Sequence, residues 1–444
     1  MGKAIQFKFF WLISGIIFFQ LSGVFASSDT TKTETIKTGW TFGALPAIAY
    51  NSDEGFRYGA LANFYFYGDG TTYPDYLHSL YFEWSRTTKG NGLNNFFYDS
   101  EYLIPNTRTT FDLMYLTEQA LDFYGFNGYE APYNLAFEDP DDMGYISRLY
   151  YRHDRKLLRV TADFQRKISN EWKWLGGAGF FGVQTGPVDV DQLNEDLDPE
   201  DEDFLPAASI YNDYVDAGII PEDLDEGGNT TFLKGGIMHD TRDELANPMS
   251  GMWTEGFLMV APSFMGTGNY GYVQAVFIHR HYFTLVKDRL SLANRLGYQG
   301  KVAGNMPFYM FPFIYNSYKT NDGFGGSKTV RGIRRNRIQG EGIAYGNFEL
   351  RYKALKFILA NQNFYISTSA FADFAMVTQK YDIDYGNVPA ALNVKPDNDR
   401  PHWGTGVGLH IVMNRNFVVA VNYGMALDEQ DGDSGLYIGL NFLY

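Results

Sequence analysis

The charged side chains best placed to act together lie between residues 325 and 373. The run Gly325-Gly326-Ser327-Lys328-Thr329-Val330-Arg331-Gly332 leads into Arg334, Arg335 and Arg337. Glu349 and Asp373 follow, each within a run of alternating apolar residues. An arginine guanidinium offers five N–H donors in a planar fork that matches carboxylate oxygens. The chemistry that these residue types support is a buried ion pair between an arginine and two carboxylates.

The alternation around Glu349 and Asp373 predicts that both carboxylates point into the same interior from adjacent strands. Successive side chains of a strand point to opposite faces, so the apolar neighbours take the other face. Those neighbours are Phe348, Leu350, Tyr352, Ala370, Ala372 and Phe374. Two carboxylates side by side in a confined interior repel each other unless a cation lies between them. We therefore expect the loop 301–341 to fold back and supply an arginine.

Residues that suit catalysis or metal binding are sparse elsewhere. His239 precedes Asp240, and His279 and His281 share a strand face, but no serine nucleophile stands at an interpretable spacing from them. Two histidines on one strand face are a minimal metal site, and few matching ligands accompany them. The sequence therefore predicts no enzyme activity, no catalytic residue, no metal and no cofactor.

An acidic stretch accounts for most of the net charge of −16. Residues 186–230 contain fifteen Asp and Glu and no Lys or Arg. Oxygen ligands suit Ca²⁺, but the spacing lacks the central Gly and terminal Glu of a calcium-binding loop. A solvated loop is the favoured interpretation, and cation binding is the alternative. A basic surface for nucleic acid is absent from the sequence, so no nucleic-acid partner is expected.

Period-two alternation runs from Gly39 to the last residue and predicts strands throughout. Aromatic residues make up 17% of the chain, and it contains no Cys. Strands with one apolar and one polar face suit a barrel with lipid outside and a wet lumen inside. Sixteen segments fit this pattern, near residues 40–50, 55–68, 76–88, 94–104, 107–117, 147–168, 172–185, 231–241, 251–263, 270–284, 288–300, 342–354, 363–377, 402–413, 416–427 and 434–444.

The predicted fold is all-β, a sixteen-stranded antiparallel transmembrane β-barrel. Bacterial single-chain barrels have even strand numbers, which favours one long strand at 147–168 over two strands with a turn at 152–156. With that choice every long connection follows an odd strand, as expected when long loops lie outside the cell and short turns lie in the periplasm. The long connections are 118–146, 186–230, 301–341 and 378–401.

The first residues predict export. Lys3 and Lys8 precede an apolar run over residues 9–25, and Val24-Phe25-Ala26 forms a cleavage site. This pattern predicts a secretory signal peptide over residues 1–26, and a transmembrane anchor is the alternative. A short polar periplasmic linker over 27–38 follows it, and the barrel domain spans 39–444.

Four motifs in order resemble those of the BamA and TamA superfamily of outer-membrane barrels, also called the bacterial surface antigen family. Val330-Arg331-Gly332 resembles the motif of that family's inward-folded sixth extracellular loop, and Phe371-Ala372-Asp373 resembles its aromatic-x-Asp strand motif. The segment from Asp240 to Gly251, with Arg242, Asp243 and Pro248, resembles its strand-turn signature, and the final Phe442 and Tyr444 resemble its C-terminal insertion signal.

The resemblance implies a place in the outer membrane of a Gram-negative bacterium. Glu349 takes the position of the family's second loop-binding carboxylate, and Arg331 is expected to matter more for stability than Arg337. Two departures are Ile333, where the family has an aromatic residue, and the lack of the family's periplasmic repeats. The segment 240–251 is expected to act mainly as a turn, with substrate contact as the alternative.

The function implied is assistance in inserting or translocating proteins at the outer membrane. Expected partners are outer-membrane lipid, outer-membrane or periplasmic protein subunits that replace the missing repeats, and unfolded client proteins. The alternative is a passive channel or a structural subunit of an outer-membrane complex.

The first and last strands contain residues that weaken strand pairing. Pro46 has no N–H to give to a ladder, and Gly439 offers no side chain to pack. The sequence therefore predicts a weak seam where the barrel closes, and a bulge at Pro46 with all pairing intact is the alternative.

Overall fold

The computed structural model describes residues 35–51, 55–88, 90–201, 203–386, 388–389 and 392–444. The predicted signal peptide and linker residues 27–34 lie outside them. Sixteen strands form one antiparallel sheet in which each strand pairs with its chain neighbours. They are β1 (Trp40–Asn51), β2 (Gly55–Phe66), β3 (His78–Thr87), β4 (Gly92–Ile104), β5 (Thr107–Asp122), β6 (Arg152–Lys167), β7 (Trp172–Gly186), β8 (Gly227–Asp240), β9 (Gly251–Ala261), β10 (Tyr272–Val286), β11 (Leu290–Gly304), β14 (Gly342–Leu359), β15 (Gln362–Gln379), β16 (His402–Met413), β17 (Phe417–Ala426) and β18 (Ser434–Leu440).

Two short strands and a few helical turns lie in the connections. A hairpin of β12 (Phe313–Tyr315) and β13 (Thr320–Asp322) occupies the connection between β11 and β14. Short α-helices, α1 (Val190–Leu193) and α2 (Ile210–Asp216), lie in the acidic stretch. Single 3₁₀ turns occur at 128–130, 135–137, 263–265, 308–310 and 429–431. No helix in the described part of the chain is long and apolar enough to cross a membrane.

The prediction of an all-β, sixteen-stranded antiparallel barrel is confirmed. The patch at 152–156 is continuous strand, so the single strand predicted for 147–168 is confirmed, although β6 begins only at Arg152. Residues 147–151 form a turn in which Ser147 accepts hydrogen bonds from the Leu149 and Tyr150 N–H groups. The last strand is shorter than predicted, because the left-handed φ of 67° at Asn441 ends it after Leu440.

Apolar side chains face outward and polar ones face the lumen along the strands. On β14, Phe348, Leu350 and Tyr352 are 37 to 40% exposed, whereas Glu349 and Arg351 between them are 1% exposed. Ion pairs line the lumen wall. Arg159 pairs with Asp112, Lys234 with Asp163 and Arg280 with Glu255, at N–O distances of 2.7 to 2.8 Å. Such pairs suit the interior of a barrel in lipid, because each of these six buried charges has an opposite charge beside it.

Loops fill the barrel and cover its extracellular mouth. The connection 305–341 lies inside the lumen, where β13 and β12 contact the wall strands. Above it, aromatic side chains from four connections pack edge to face into one cluster. Its members include Phe123, Phe126, Tyr214, Phe308, Phe311 and Tyr381. The lumen is therefore packed with side chains rather than open as a pore.

The sheet has two free edges where the barrel closes. Among the described residues, β1 pairs with β2 alone and β18 with β17 alone. β18 has seven residues and ends opposite Val419, so the first residues of β17 extend past it. The β1–β2 register continues without a shift through Pro46, so the alternative of a bulge there is wrong for this ladder. We call the junction of β1 with β17 and β18 the seam.

Side chains bridge the seam at its periplasmic end. Tyr65 donates a hydrogen bond to the Asn416 carbonyl (3.1 Å), and the Asn416 amide donates to the Tyr67 hydroxyl (3.0 Å). Asn363 and Thr35 exchange two hydrogen bonds of 2.9 and 3.0 Å. We call these five residues the seam latch. A further contact depends on a glycine, because a Cβ at Gly43 would lie 2.4 Å from the ring of Phe417.

We expect the protein in mild detergent to migrate faster on an electrophoresis gel when unheated than when boiled. A barrel pairs its backbone groups internally, so detergent alone does not unfold it. The measurement is migration with and without boiling, together with circular dichroism of the unheated sample. Identical migration with a helical spectrum would contradict the fold.

Candidate functional site

Arg331 lies between Glu349 and Asp373 inside the barrel. Its Nε is 2.8 Å from Asp373 Oδ2, and its Nη1 is 2.9 Å from Glu349 Oε2. Nη2 and the backbone N–H of Arg331 also donate to Asp373, each at 3.1 Å. The guanidinium carbon lies 3.4 Å from the ring centroid of Phe371. All three charged side chains are at most 1% exposed. We call Arg331, Glu349 and Asp373 the arginine clamp.

The loop tip that carries Arg331 lies against the backbone of β16 and β17. Gly332 adopts a φ of 98°, and a Cβ there would lie 2.5 Å from the Met425 backbone. A Cβ at Gly404 would lie 2.0 Å from the Arg331 carbonyl, and one at Gly424 would lie 2.7 Å from the Gly332 nitrogen. Side chains at these positions would push the loop off the wall. The sequence prediction included Gly332 and missed the two wall glycines, which only the contact identifies.

The loop tip also contacts the seam. The Gly332 N–H donates a hydrogen bond of 3.0 Å to the hydroxyl of Tyr437 on β18. Asn422 on β17 accepts a 3.4 Å hydrogen bond from Arg331 Nη1. Ile333, which replaces the family's aromatic residue, is 1% exposed and packs in an apolar cluster with Phe324 and Tyr345. The loop is thus fixed to the strands on one side of the seam.

The predicted C-terminal signal lies in the lumen rather than on the lipid face. After Asn441 the chain turns inward, and Phe442 stacks on His410 at 4.3 Å between centroids. The Tyr444 hydroxyl donates to the Ala293 carbonyl at 2.8 Å. The predicted extension of the last strand to residue 444 is therefore wrong, because the left-handed Asn441 ends the strand and its alternation.

Arg351, which the sequence analysis missed as a site residue, joins the clamp to these inward residues. Its Nε is 3.0 Å from Glu349 Oε1, and its Nη2 donates to the Tyr444 carbonyl at 3.0 Å. Its guanidinium also lies over the rings of Phe442 and Tyr444. The signal in the sequence was its position in the period-two alternation: Arg351 lies two residues after Glu349, so both side chains point to the inward face. Glu349 therefore pairs with two arginines.

A second set of ion pairs fixes the loop to the opposite wall. Arg335 of the loop pairs with Glu118 of β5 and with Asp322 at 3.1 Å. Arg155 of β6 pairs with the same two carboxylates. Burial alone would raise the pKa of Asp322, but the charges of Arg155 and Arg335 outweigh that effect and hold its pKa below the usual value. The loop therefore spans the lumen and is held by ion pairs at both walls, through Arg331 on one side and Arg335 on the other.

Arg337 is as buried as Arg331, which the sequence analysis did not anticipate. It is 1% exposed, donates to the Gly128 carbonyl at 2.9 Å and lies 3.6 Å from Asp431. Asp431 also accepts from the Tyr129 hydroxyl and lies 2.6 Å from His402 Nδ1. That Arg331 matters more for stability than Arg337 stays a prediction, since both guanidinium groups are buried within 4 Å of a carboxylate.

The predicted strand-turn motif forms a compact periplasmic turn between β8 and β9. Arg242 pairs with Asp240 at 2.8 Å and covers the ring of Trp253 at 4.1 Å. Asp243 accepts hydrogen bonds from the N–H groups of Met249 and Ser250. The buried end of the turn, with Pro248, reaches across the floor of the barrel, where Asn247 donates to Tyr365. Gly251 has a φ of 93° at the start of β9.

The remaining candidates lie apart from the clamp. His239 lies at the periplasmic rim, 3.2 Å from Glu171, and His279 and His281 pack as an edge-to-face pair on β10. No group of three or more His, Asp or Glu in the described residues has the geometry to hold a metal ion. The acidic stretch is largely exposed in its part from 191 to 203.

The fold and the clamp define a class: a sixteen-stranded outer-membrane barrel whose sixth extracellular loop is held in the lumen by an arginine. The sequence matches the Omp85 superfamily domain over residues 78–442, so the chain belongs to the Omp85 superfamily. Membership indicates an outer-membrane protein of a Gram-negative bacterium. No curated protein matches the sequence.

Solved structures with similar folds include two kinds of barrel protein. CdiB from Escherichia coli aligns with a TM-score of 0.54 and 11% identity over 91% of this chain and 62% of that chain. BamA from Haemophilus ducreyi lacking POTRA domains 1–3 aligns with a TM-score of 0.48 and 16% identity over 91% and 69%. CdiB from Acinetobacter baumannii aligns with a TM-score of 0.45 and 16% identity over 91% and 60%. This chain thus spans about three fifths of the CdiB chains.

We expect Arg331→Ala to destabilise the barrel strongly, by about 3–5 kcal/mol, because it leaves Glu349 and Asp373 buried without their cation. Lys328→Ala is the matched control, since Lys328 is exposed in the same loop. The measurement is the temperature at which half of the protein shifts to the unfolded gel position. Equal transition temperatures for the two variants would contradict a stabilising clamp.

Proposed function

We propose that this protein inserts or translocates other proteins at the outer membrane through its seam, together with protein partners and with outer-membrane lipid. The observation that carries the proposal is the pair of free edges on β1 and β18. A free strand edge presents unpaired N–H and C=O groups that can pair with another chain. An entering client strand would find backbone partners there, at the boundary with lipid.

The contacts across the seam are few and reversible, which suits a junction that opens. The seam latch consists of hydrogen bonds between side chains and turns at the periplasmic end. Each such hydrogen bond contributes about 1 kcal/mol. Above the latch, an apolar cluster around Phe417, which includes Leu45 of β1 and Leu440 of β18, takes the place of a ladder. Opening the seam therefore breaks no backbone ladder among the described strands, whereas separating any other neighbouring pair does.

The packed lumen argues against the passive channel. The loop 305–341 crosses the interior between two sets of ion pairs, and the aromatic cluster covers the extracellular mouth. Conduction would require breaking several buried charge pairs at once. A structural subunit remains the second candidate, and we propose no enzymatic activity for the barrel. BamA and CdiB, the proteins of similar fold, are the starting points for choosing candidate clients and partners.

The decisive experiment locks the seam with a disulfide. The Cβ position of residue 43 lies 2.6 Å from Phe417 Cγ, which a cysteine sulfur would replace, so Gly43→Cys with Phe417→Cys is within disulfide reach. The matched control is Ala44→Cys with Ala62→Cys, which cross-links the intact β1–β2 ladder at opposed positions. The chain contains no other Cys to interfere.

We expect the oxidised seam variant to lose function and to regain it on reduction, whereas the control works in both states. The measurement is quantitative outer-membrane proteomics in the natural host depleted of the native protein and supplied with each variant. Client proteins are those lost on depletion. Full restoration of their levels by the locked barrel would overturn seam opening and favour the structural subunit.

A further inference from the structure

Arg86 faces lipid at the extracellular rim of β3. It stands directly opposite Tyr58 on β2, and Trp84 and Phe82, two and four residues earlier, are 47% and 45% exposed on the same outward face. Strand β3 ends one residue later, at Thr87, where the extracellular connection to β4 begins. A charge on the lipid face is costly near the bilayer centre and tolerated near the interface. Its position at the rim therefore places the guanidinium at the depth of lipid headgroups.

The guanidinium of Arg86 is held in place without a carboxylate. Its Nη2 donates to Asn94 Oδ1 at 2.9 Å, and its Nη1 donates to the carbonyls of Ser85 (2.8 Å) and Leu93 (3.2 Å). The guanidinium carbon lies 5.3 Å from the ring centroid of Trp84. Among the described residues, no carboxylate lies within ion-pair distance of it. The lumen arginines 108, 155, 159, 280 and 331, by contrast, each pair with a carboxylate.

An apolar groove runs along the outer wall directly below Arg86. Its volume is about 480 Å³, within the range of lipid and small-molecule sites. Two alanines that are paired with β1 form its floor, and larger apolar side chains of β3, β4 and β5 form its walls. The lining residues include Ala60, Ala62, Phe82, Phe96, Leu113 and Tyr115.

We propose that Arg86 and this groove bind one phosphate-bearing lipid of the outer leaflet, with its phosphate against the guanidinium and an acyl chain in the groove. The planar fork of arginine matches phosphate oxygens, and a phosphate supplies the anionic partner that no carboxylate of the described residues gives to Arg86. The groove buries the chain's apolar surface, and Trp84 and Tyr115 suit the interface where chain meets headgroup. The proposal depends on the outer-membrane location and not on the seam.

The test is native mass spectrometry of the folded barrel in dodecyl maltoside with diphosphorylated lipid A, the phosphorylated glycolipid of the outer leaflet. We expect Arg86→Ala to reduce the affinity about tenfold, the effect of losing a charge-assisted hydrogen bond. Arg148→Ala, at an exposed arginine of an extracellular loop, is the matched control and should bind as the wild type does. Equal binding by Arg86→Ala and the wild type would overturn the proposal.

The groove is tested separately with Ala60→Phe, which fills it and leaves the charge intact. Ala370→Phe makes the same change on the outward face of β15 and is the control. We expect weakened lipid binding for the first variant only. Unchanged binding by Ala60→Phe would place the acyl chain elsewhere and refute the site.

A competition with inorganic phosphate tests whether the acyl chain contributes to binding. Displacement of lipid A by millimolar inorganic phosphate would refute the site too, since the acyl chain would then contribute nothing. Faster gel migration of the unheated than of the boiled sample shows that a variant is folded. If Ala60→Phe does not fold, Ala62→Leu takes its place.

Discussion

The buried charge of Arg331 is the constraint on which the interior depends. A guanidinium with 1% exposure requires anions beside it, and Glu349 and Asp373 on neighbouring strands require a cation in turn. Each group alone would destabilise the barrel, and together they fix the loop at one height against β14 and β15. The ion pairs of Arg335 on the other wall then leave the loop no freedom to swing. The position of the loop and the packing of the lumen thus both depend on these ion pairs.

The strands and the clamp carboxylates could be predicted because both follow from period-two alternation, which is local. Glu349 and Asp373 were placed on the inner face from their neighbours alone, and the structure puts Arg331 between them. The end of the last strand could not be predicted, because it depends on the left-handed backbone of a single residue, Asn441, after which Phe442 and Tyr444 turn inward. Burial of Arg337 depends on Asp431, nearly a hundred residues away, and spacing in the sequence holds no signal for it.

The seam and the lumen differ in how they are held together. The lumen contains paired charges that are costly to separate, whereas the seam contains hydrogen bonds and an apolar cluster around Phe417. The loop tip reaches β18 through Tyr437 and β17 through Asn422. Among the described strands, the seam is the one junction without a backbone ladder, and it lies beside the alanine-lined outer wall of β2.

The position of the clamp partners along the chain sets an order of assembly. Every wall group that holds Arg331 and Gly332 comes later in the sequence than the loop itself: Glu349, Asp373, Gly404, Asn422, Met425 and Tyr437. Arg335 of the same loop can already pair with Glu118 on β5, which precedes the loop. The clamp itself can close only once β14 and β15 are in place, so a barrel that lacks these strands leaves the Arg331 guanidinium without its carboxylates.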